Sequence, residues 1–318
     1  MRITVRVPAS SANLGCGFDA LGLALALHSD FVFDTDAPDA LLAVAGDGAD
    51  ALLADGCGLV YEAAERYCSE LGVELPRFSL TVENRIPLSR GLGSSSAAVV
   101  GGLAGAWALH HADQPGAALD RSLLLRLATA IEGHPDNVAP ALFGGIQLAV
   151  VPGGDPLSGA APLLMPLAAP PTLAAACFIP DMPISTSAAR AVLPPAVPLA
   201  DAVHNQARTA LFAAIFGQPA PPLGLLREAM DDRLHQPYRA ALLPQLPGLI
   251  DAACAAGAYG AALSGAGSTV LALCDLADAQ RVAEAMRRFA LAPGGYPELP
   301  GAARVLALDL SGAQLRRA

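Results

Sequence analysis

The chain has 318 residues, enough for two modest domains, and its 53% hydrophobic and 15% charged residues exclude an extended disordered protein. A net charge of −10, with every one of the 19 basic residues an Arg, argues against general nucleic-acid binding. Much of the apolar content is Ala, and no run reaches the ~18–20 strongly apolar residues of a membrane span without polar, Gly or Pro breaks.

The N-terminus, MRITVRVPASS, has no signal-peptide core. Ile3, Val5 and Val7 alternate with Thr4 and Arg6, which predicts a half-buried strand over 2–7. Pro8 to Leu25, PASSANLGCGFDALGLAL, then holds Ser10, Ser11, Asn13 and Asp19 in a Gly-interrupted loop between strand-like segments. Such loops often carry function; equally, Asn and Asp close turns on their own backbone. A second strand is expected from Leu21 to Asp34, followed by a Gly/Asp-rich excursion at 36–58. Val60, Ala64, Tyr67 and Leu71 share one face of a helix over 59–71, and Phe78 to Glu83 alternates as a strand.

Pro87 to His111, PLSRGLGSSSAAVVGGLAGAWALHH, organises the rest. A Gly-rich turn feeding a Ser-rich helix start presents free N–H groups at the positive end of the helix dipole, an anion cradle suited to phosphate. The plainer reading is a capped, Gly-rich helix packed in a core. The stretch is not a Walker loop, because no Lys follows the last Gly, and not a dinucleotide fingerprint, because the third Gly is missing.

A helix is predicted over Arg121–Ile131, ahead of EGHPDNVAPALFGG, Glu132 to Gly145. Glu132, His134 and Asp136 are a poor transition-metal set, and capping of adjoining helices accounts for them equally well. A strand over 144–151 leads into a Pro/Gly/Ala-rich segment, 152–171, where the domain boundary is placed: 1–160 and 161–318. The second half begins with a strand over 173–179 and the segment PDMPISTSAARAVLP, with a helix starting near Ser185. Helical stretches are expected near 199–217, 223–233 and 239–257, then strand–turn–strand over Gly260–Leu273, a helix at 277–289 and a last strand at 303–310. The six cysteines form no C-x-x-C pair and read as reduced core thiols of a cytoplasmic protein.

Five of these segments and a closing Gly turn resemble the GHMP kinases, and the homoserine kinase family among them. P-x-x-x-G-L-G-S-S-S-A-A resembles the superfamily's phosphate loop, P-A-S-S-A-N-L-G-x-G-F-D the N-terminal motif, and H-P-D-N-V-A-P-A-L-F-G-G the third. I-S-T-S-A-A-R and Q-P-Y-R-A-A-L-L-P resemble the fourth and fifth, and L-S-G-A-G-S-T resembles the superfamily's closing S-G-S-G-P-T. Cys16 stands where the family favours Pro, Gly58 where it usually offers an Asn to adenine, and Ala266 and Ser268 where it has Ser and Pro. With Gly58 in that place, backbone groups are expected to take over adenine recognition.

The resemblance implies an α+β, two-domain GHMP kinase fold: a ribosomal-protein-S5-like N-terminal domain and a ferredoxin-like C-terminal βα sandwich, with ATP and L-homoserine meeting between them. It implies that Pro87, Leu88, Ser89, Arg90, Gly91, Leu92, Gly93, Ser94, Ser95, Ser96, Ala97, Thr186, Ser264, Gly265 and Gly267 bind the nucleotide. Mg²⁺ would sit on Ser94 and Glu132. Asn13, Asp19, His134, Asp136 and Asn137 would surround the hydroxyl and amine, with Asn13, Asp19, Asn137 and Thr186 closest to the chemistry. Arg190 and Arg239 would clamp the carboxylate, since a planar guanidinium matches a carboxylate fork. Asn137 stands where mevalonate kinase and galactokinase have a basic Asp. The expected reaction is ATP-dependent phosphorylation of homoserine in threonine biosynthesis, without nucleic acid or membrane as partner; a homodimer is expected because relatives are often dimers. The rival readings are a GHMP kinase for another small alcohol, which would lack the paired arginines, and a non-catalytic ligand sensor on the same fold.

Overall fold

The computed structural model describes residues 1–36, 42–114, 116–292 and 294–317. Strand β1 (Arg2–Ala12) begins with the alternation seen in the sequence: Ile3, Val5 and Val7 are buried, and the residues between them are not. From Val7 onward every residue of β1 is buried, so the strand carries Ser10 and Ser11 into the interior. It runs antiparallel to β2 (Leu21–Asp34), with a register shift between Pro8 and Ala9. Around this pair a seven-stranded sheet assembles from β3 (Leu42–Gly46), β4 (Ser79–Asn84), β5 (Ile146–Val150) and β6 (Leu163–Leu167), plus a late strand from the chain's end.

The second sheet contains β7 (Leu173–Pro180), β8 (Gly260–Leu263), β9 (Val270–Asp275) and β10 (Gly301–Ala307), in the order β10-β7-β9-β8 and antiparallel throughout. Counted along the chain that order is fourth, first, third, second, the ferredoxin-like arrangement. Helices Leu246–Ala255 and Ala279–Leu291 pack on one face of it. Its other face joins the core of the first sheet, so Ala175, Cys177, Leu271 and Leu273 belong to one apolar cluster with Ile3 and Leu23.

Helix Ser94–His110 lies at the centre and is buried almost all round, as expected for a helix with no polar face. Its small residues allow this. A Cβ on Gly101 or Gly105 would meet the Phe31 or Phe33 ring at 2.5 or 2.2 Å, and one on Gly102 would meet the Val60 carbonyl oxygen at 2.2 Å. The helix is therefore held flat against β2 on one side and against helix Gly58–Leu71 on the other.

Several boundaries differ from the sequence reading. The excursion at 36–58 contains β3, parallel to β4, and the helix Ala49–Ala54. Neither was visible, because β3 is half-buried without alternation and the helix has no buried residue. β6 pairs with β5, so the first sheet extends to Leu167, past the boundary drawn at 160. The last strand ends at Ala307, and β11 (Gln314–Arg317) returns to pair with β1, Ile3 opposite Arg317. The 161–318 half thus closes the sheet of the other. The stretches at 223–233 and 239–257 break into Leu226–Ala229, Gln236–Arg239 and Leu246–Ala255. The Asp232 carboxylate accepts from the N–H groups of Leu234, His235 and Gln236, which stops one helix and starts the next.

Asp30 anchors β2 to both neighbours. It accepts two hydrogen bonds from Arg6 on β1, at 2.7 and 2.8 Å, and one from Arg85 at 3.1 Å. The Arg6 hydrogen bond leads in holding its carboxyl below the ordinary carboxylate range, against an opposing effect of burial. A depressed folded-state pKa contributes stability that is complete above the unfolded value, about 3.9, and is lost as pH falls through the folded value. Asp30→Asn should therefore lower the urea midpoint at neutral pH, and the gap to wild type should narrow below about pH 4. A gap independent of pH would remove Asp30 from the acid sensitivity.

Candidate active site

One cavity of about 480 Å³ opens where the two sheets meet, lined by Asn13, Asp19, Pro87–Ser95, Glu132, His134, Asp136, Asn137, Thr186, Arg190, Arg239 and Gly265, with an apolar end at Leu52, Cys57, Leu59, Val60 and Val82. Its size suits a small-molecule site. Residues from all five sequence motifs and the closing Gly turn converge on it.

The Gly-rich turn is built to point N–H groups inward. Gly91 and Gly93 have φ of +73° and +70°, and Gly93 precedes helix Ser94–His110 without a side-chain cap. A Cβ on either would meet the Ser264 carbonyl or the Ser10 hydroxyl at 2.0 Å. Four of the turn's carbonyls are engaged from outside. Ile184 N–H donates to Ser89, Thr269 N–H to Arg90, the Ser264 hydroxyl to Gly91 and Ser10 N–H to Leu92, over 2.6–3.1 Å. Arg90 spans the two halves, donating to the carbonyls of Pro180 and Asp181. What remains facing the cavity is the donor side, with the hydroxyls of Ser94 and Ser95.

This geometry refines the residues expected to bind nucleotide. Ser96, Ala97, Ser264 and Gly267 do not face the cavity. Ser96 is fully buried and donates to Glu132 at 2.9 Å. The Ser264 hydroxyl is spent on Gly91 and on Ser11, at 2.6 and 2.7 Å. Both brace the loop. Gly58 N–H donates to the Asp55 carboxylate at 3.2 Å, and Asp55, Cys57 and Leu59 line that end of the cavity. Thr186 does reach the cavity, at the start of helix Thr186–Ala191, which Ser185 caps by accepting from Ala188 N–H.

Glu132 closes helix Arg121–Glu132 and faces the turn. One carboxylate oxygen accepts from Ser96 and, at 3.4 Å, from Ser95; the other is left for the cavity. A carboxylate and the Ser94 hydroxyl form a hard oxygen donor set of the kind Mg²⁺ takes.

The acceptor end is strongly polar. Asn13, Leu14 and Asp19 all have positive φ, at 71°, 46° and 56°. That conformation is costly for residues other than Gly and is held here by surrounding contacts. The Asn13 side chain supplies two of them, accepting from Asp19 N–H at 3.1 Å and donating to the Gly265 carbonyl at 3.2 Å. It thus shapes the loop that presents Asp19. The Ser10 hydroxyl donates to the Asn137 side-chain oxygen at 2.9 Å, which turns the Asn137 amide nitrogen to the cavity. Ser10 was grouped with this loop in the sequence, but its role as the partner that orients Asn137 was not legible.

Asp19, His134 and Asp136 place their ligand atoms within 4.8 Å of one another, the one such group of three among the described residues. His134 Nδ1 lies 2.7 Å from Asp136. Burial alone would lower the His134 pKa, but the hydrogen bond and charge of Asp136, with Asp19 and Glu132, outweigh it and shift it upward. Arg190 sits on Asp19 with two contacts of 2.8 and 3.2 Å. Arg190 already offsets the charge of Asp19, which makes the group a poorer divalent-metal site; its carboxylate oxygens remain acceptors of the kind the three donors of an ammonium take.

Arg239 is 3% exposed and has no carboxylate partner among the described residues. It donates to the carbonyls of Ala189 and Gly265, at 3.2 and 2.9 Å, which leaves Nη2 for the cavity. Burial first and the Arg190 charge second push its pKa down, yet a guanidinium stays charged. Arg190 and Arg239 thus both line the one small cavity, and two guanidinium groups side by side are a donor set suited to an anion.

Models of the GHMP kinases N terminal domain and the GHMP kinases C terminal match residues 58–145 and 218–291. Together with the two sheets and the shared cavity, they define the class, that of the GHMP small-molecule kinases. The chain is 42% identical to a homoserine kinase of Desulfitobacterium hafniense over 98% of this chain and 99% of that one, and 39% identical to a homoserine kinase of Nostoc punctiforme over 98% and 97%. The crystal structure of homoserine kinase from Cytophaga hutchinsonii superposes with a TM-score of 0.80, at 27% identity, covering 99% of this chain and 97% of that one. The chain belongs to the homoserine kinase family within that class.

Proposed function

We propose that this protein transfers the γ-phosphoryl group of ATP to the side-chain hydroxyl of L-homoserine, giving ADP and O-phospho-L-homoserine for threonine biosynthesis. The observation that carries this reading is the pairing, in one cavity, of an N–H-lined turn with two arginines that face an Asp/His/Asp cluster. The first suits a triphosphate, the arginines a carboxylate, and the cluster an amine. Mevalonate or a sugar has no amine to match the cluster.

Positioning and charge neutralisation dominate phosphoryl transfer. The N–H groups of the turn, with Ser94, Ser95 and Thr186, hold the triphosphate. Ser94 and Glu132 would hold Mg²⁺, which when bound offsets the charge on the β and γ oxygens. Arg239 and Arg190 take the carboxylate, and Asp19, Asp136 and His134 take the amine. Asn137, fixed by Ser10, donates its amide hydrogen where the hydroxyl and γ-phosphate meet. An amide is no base, so the hydroxyl proton passes to a phosphate oxygen as the new O–P bond forms and the bond to ADP breaks. The six cysteines stand free, five of them buried, which fits a cytoplasmic location; no helix among the described residues is long and apolar enough to cross a membrane.

Phosphorus NMR of ATP with L-homoserine tests the reaction: a new phosphomonoester coupled to the side-chain methylene should grow as ADP appears. ATP hydrolysis without that signal would refute the acceptor. Asp19→Asn tests the base-free step. Asp19 in a positioning role should show mainly as a raised homoserine KM, with kcat reduced about tenfold or less. A fall of several orders of magnitude at saturating homoserine, with ATP binding intact, would make Asp19 the base.

A further inference from the structure

Arg239 carries a charge into a buried position, and what fixes it there is a side chain outside every motif. His235 is fully buried. Its Nε2 lies 2.8 Å from the Gly15 carbonyl, an acceptor only, so Nε2 carries the hydrogen. Its Nδ1 lies 3.3 Å from Arg239 Nη1, a donor only, so Nδ1 presents its lone pair. One neutral ring therefore connects the Asn13–Asp19 loop to Arg239. Burial, with the Arg239 charge adding to it, holds the His235 pKa down, which agrees with that tautomer.

Phe18 completes the support. Its ring stacks on His235 at 5.3 Å between centroids, and the guanidinium carbons of Arg239 and Arg190 lie 5.3 and 5.6 Å from its centre. Behind His235, Asp232 holds the start of the Gln236–Arg239 turn and accepts from Asn205 at 2.7 Å, and Asn205 donates in turn to the Cys16 carbonyl at 3.1 Å. Gly15 packs so tightly on this segment that a Cβ there would meet the Met230 carbonyl at 2.0 Å.

We propose that His235 and Phe18 are positioning residues for the acceptor site, setting the distance between Arg239 and Asp19 so that the cavity accepts an α-amino acid and discriminates against amino alcohols lacking the carboxylate. This rests on the homoserine reading. His235 touches neither reactant; it acts through Arg239. The Asn205–Asp232–His235 chain braces that distance, because every side-chain polar atom in it has a hydrogen-bond partner.

The test compares homoserine with aminopropanol, which keeps the hydroxyl and amine and lacks the carboxylate. His235→Gln keeps a donor for Gly15 and loses the acceptor for Arg239; His235→Asn places an oxygen near Nδ1 and keeps that acceptor. His235→Gln should raise the homoserine KM about tenfold, with kcat and the ATP KM within about twofold and kcat/KM for aminopropanol unchanged. His235→Asn should restore the homoserine KM to within about threefold. Phe18→Leu, at a half-buried position, should reproduce the homoserine-selective loss and carries the test if His235→Gln does not fold. An unchanged homoserine KM in His235→Gln and Phe18→Leu overturns the inference. So does a loss equal for both acceptors, or one that His235→Asn shares. Wild-type protein that does not phosphorylate homoserine overturns the functional reading and this inference together; a wild type that does, with variants that do not discriminate, overturns this inference alone.

Discussion

Glu132→Gln should lower turnover by roughly 10²–10³-fold while the melting temperature stays close to wild type. The substitution keeps the shape of the side chain and one oxygen. That oxygen is enough for the acceptor role toward Ser96 and Ser95, so the start of helix Ser94–His110 should not move. What is lost is the negative charge facing the triphosphate. A metal that neutralises phosphoryl oxygens contributes several kcal/mol of transition-state stabilisation, and 1.36 kcal/mol is tenfold in rate. The loss should appear in kcat and in the Mg²⁺ concentration needed for half-maximal rate, with homoserine binding unaffected. Normal turnover and normal Mg²⁺ dependence would move the metal ligand elsewhere, with Asp136 the next carboxylate on the cavity.

Arg190→Ala and Arg239→Ala should each raise the homoserine KM by an amount worth roughly 2–4 kcal/mol, the range for losing a charge-assisted carboxylate contact. The two should differ in what else they do. Arg190 has a side chain 40% exposed, and its one ion-pair partner among the described residues is Asp19. Removing it frees Asp19 and should leave stability almost untouched. Arg239 is buried and its nitrogens serve Ala189, Gly265 and His235. Its removal takes the side-chain donor from the Ala189 carbonyl and from His235 Nδ1 and leaves the Gly265 carbonyl to Asn13 alone, so a lower melting temperature should accompany the KM effect. Calorimetry on both variants, beside steady-state kinetics, separates the two contributions. A homoserine KM unchanged in both would remove the clamp.

Much of this architecture was legible in the sequence, for physical reasons that differ by element. The first half of β1 announced itself by alternation because one face is buried and the other partly wet, whereas β2 is buried on both faces at its start and alternates in burial only over Phe31–Asp34. Helix Ser94–His110 was legible from composition alone, since only small residues let a helix pack on the Phe31 and Phe33 rings and on Val60 together. The motifs located the cavity because chemistry needs particular residues in loops. β3, β6 and β11 were not legible: they are short and half-buried or exposed, and they exist through pairing with distant strands rather than through a pattern of their own.

The site shows the same divide. Residues whose backbone or charge faces the cavity, such as Gly91, Gly93, Ser94, Arg190 and Arg239, were found by their motifs. The holding roles of other residues were not legible. Ser264 was expected to bind phosphate by its resemblance to the superfamily's closing motif, and its hydroxyl bonds Gly91 and Ser11. Asn13, expected to contact substrate, lines the cavity, and both ends of its amide also hold the backbone that shapes Asp19's loop. His235 and Asn205 gave no local signal, because their partners lie 220 and 189 residues away in the chain. Hydrogen-bond partners at that separation become visible only when the two halves of the fold are brought together.

A small cavity that pairs a triphosphate-binding turn with an amino-acid zwitterion site should select homoserine. A coupled assay of ADP release across L-homoserine, mevalonate, galactose and shikimate, with ATP and Mg²⁺ saturating, measures that selection directly. The account predicts turnover with homoserine at a kcat/KM about 100-fold or more above any of the other three, the discrimination expected when a charged carboxylate and an amine are both recognised. Equal or faster turnover of mevalonate, galactose or shikimate, or no homoserine-dependent ADP release, would contradict it.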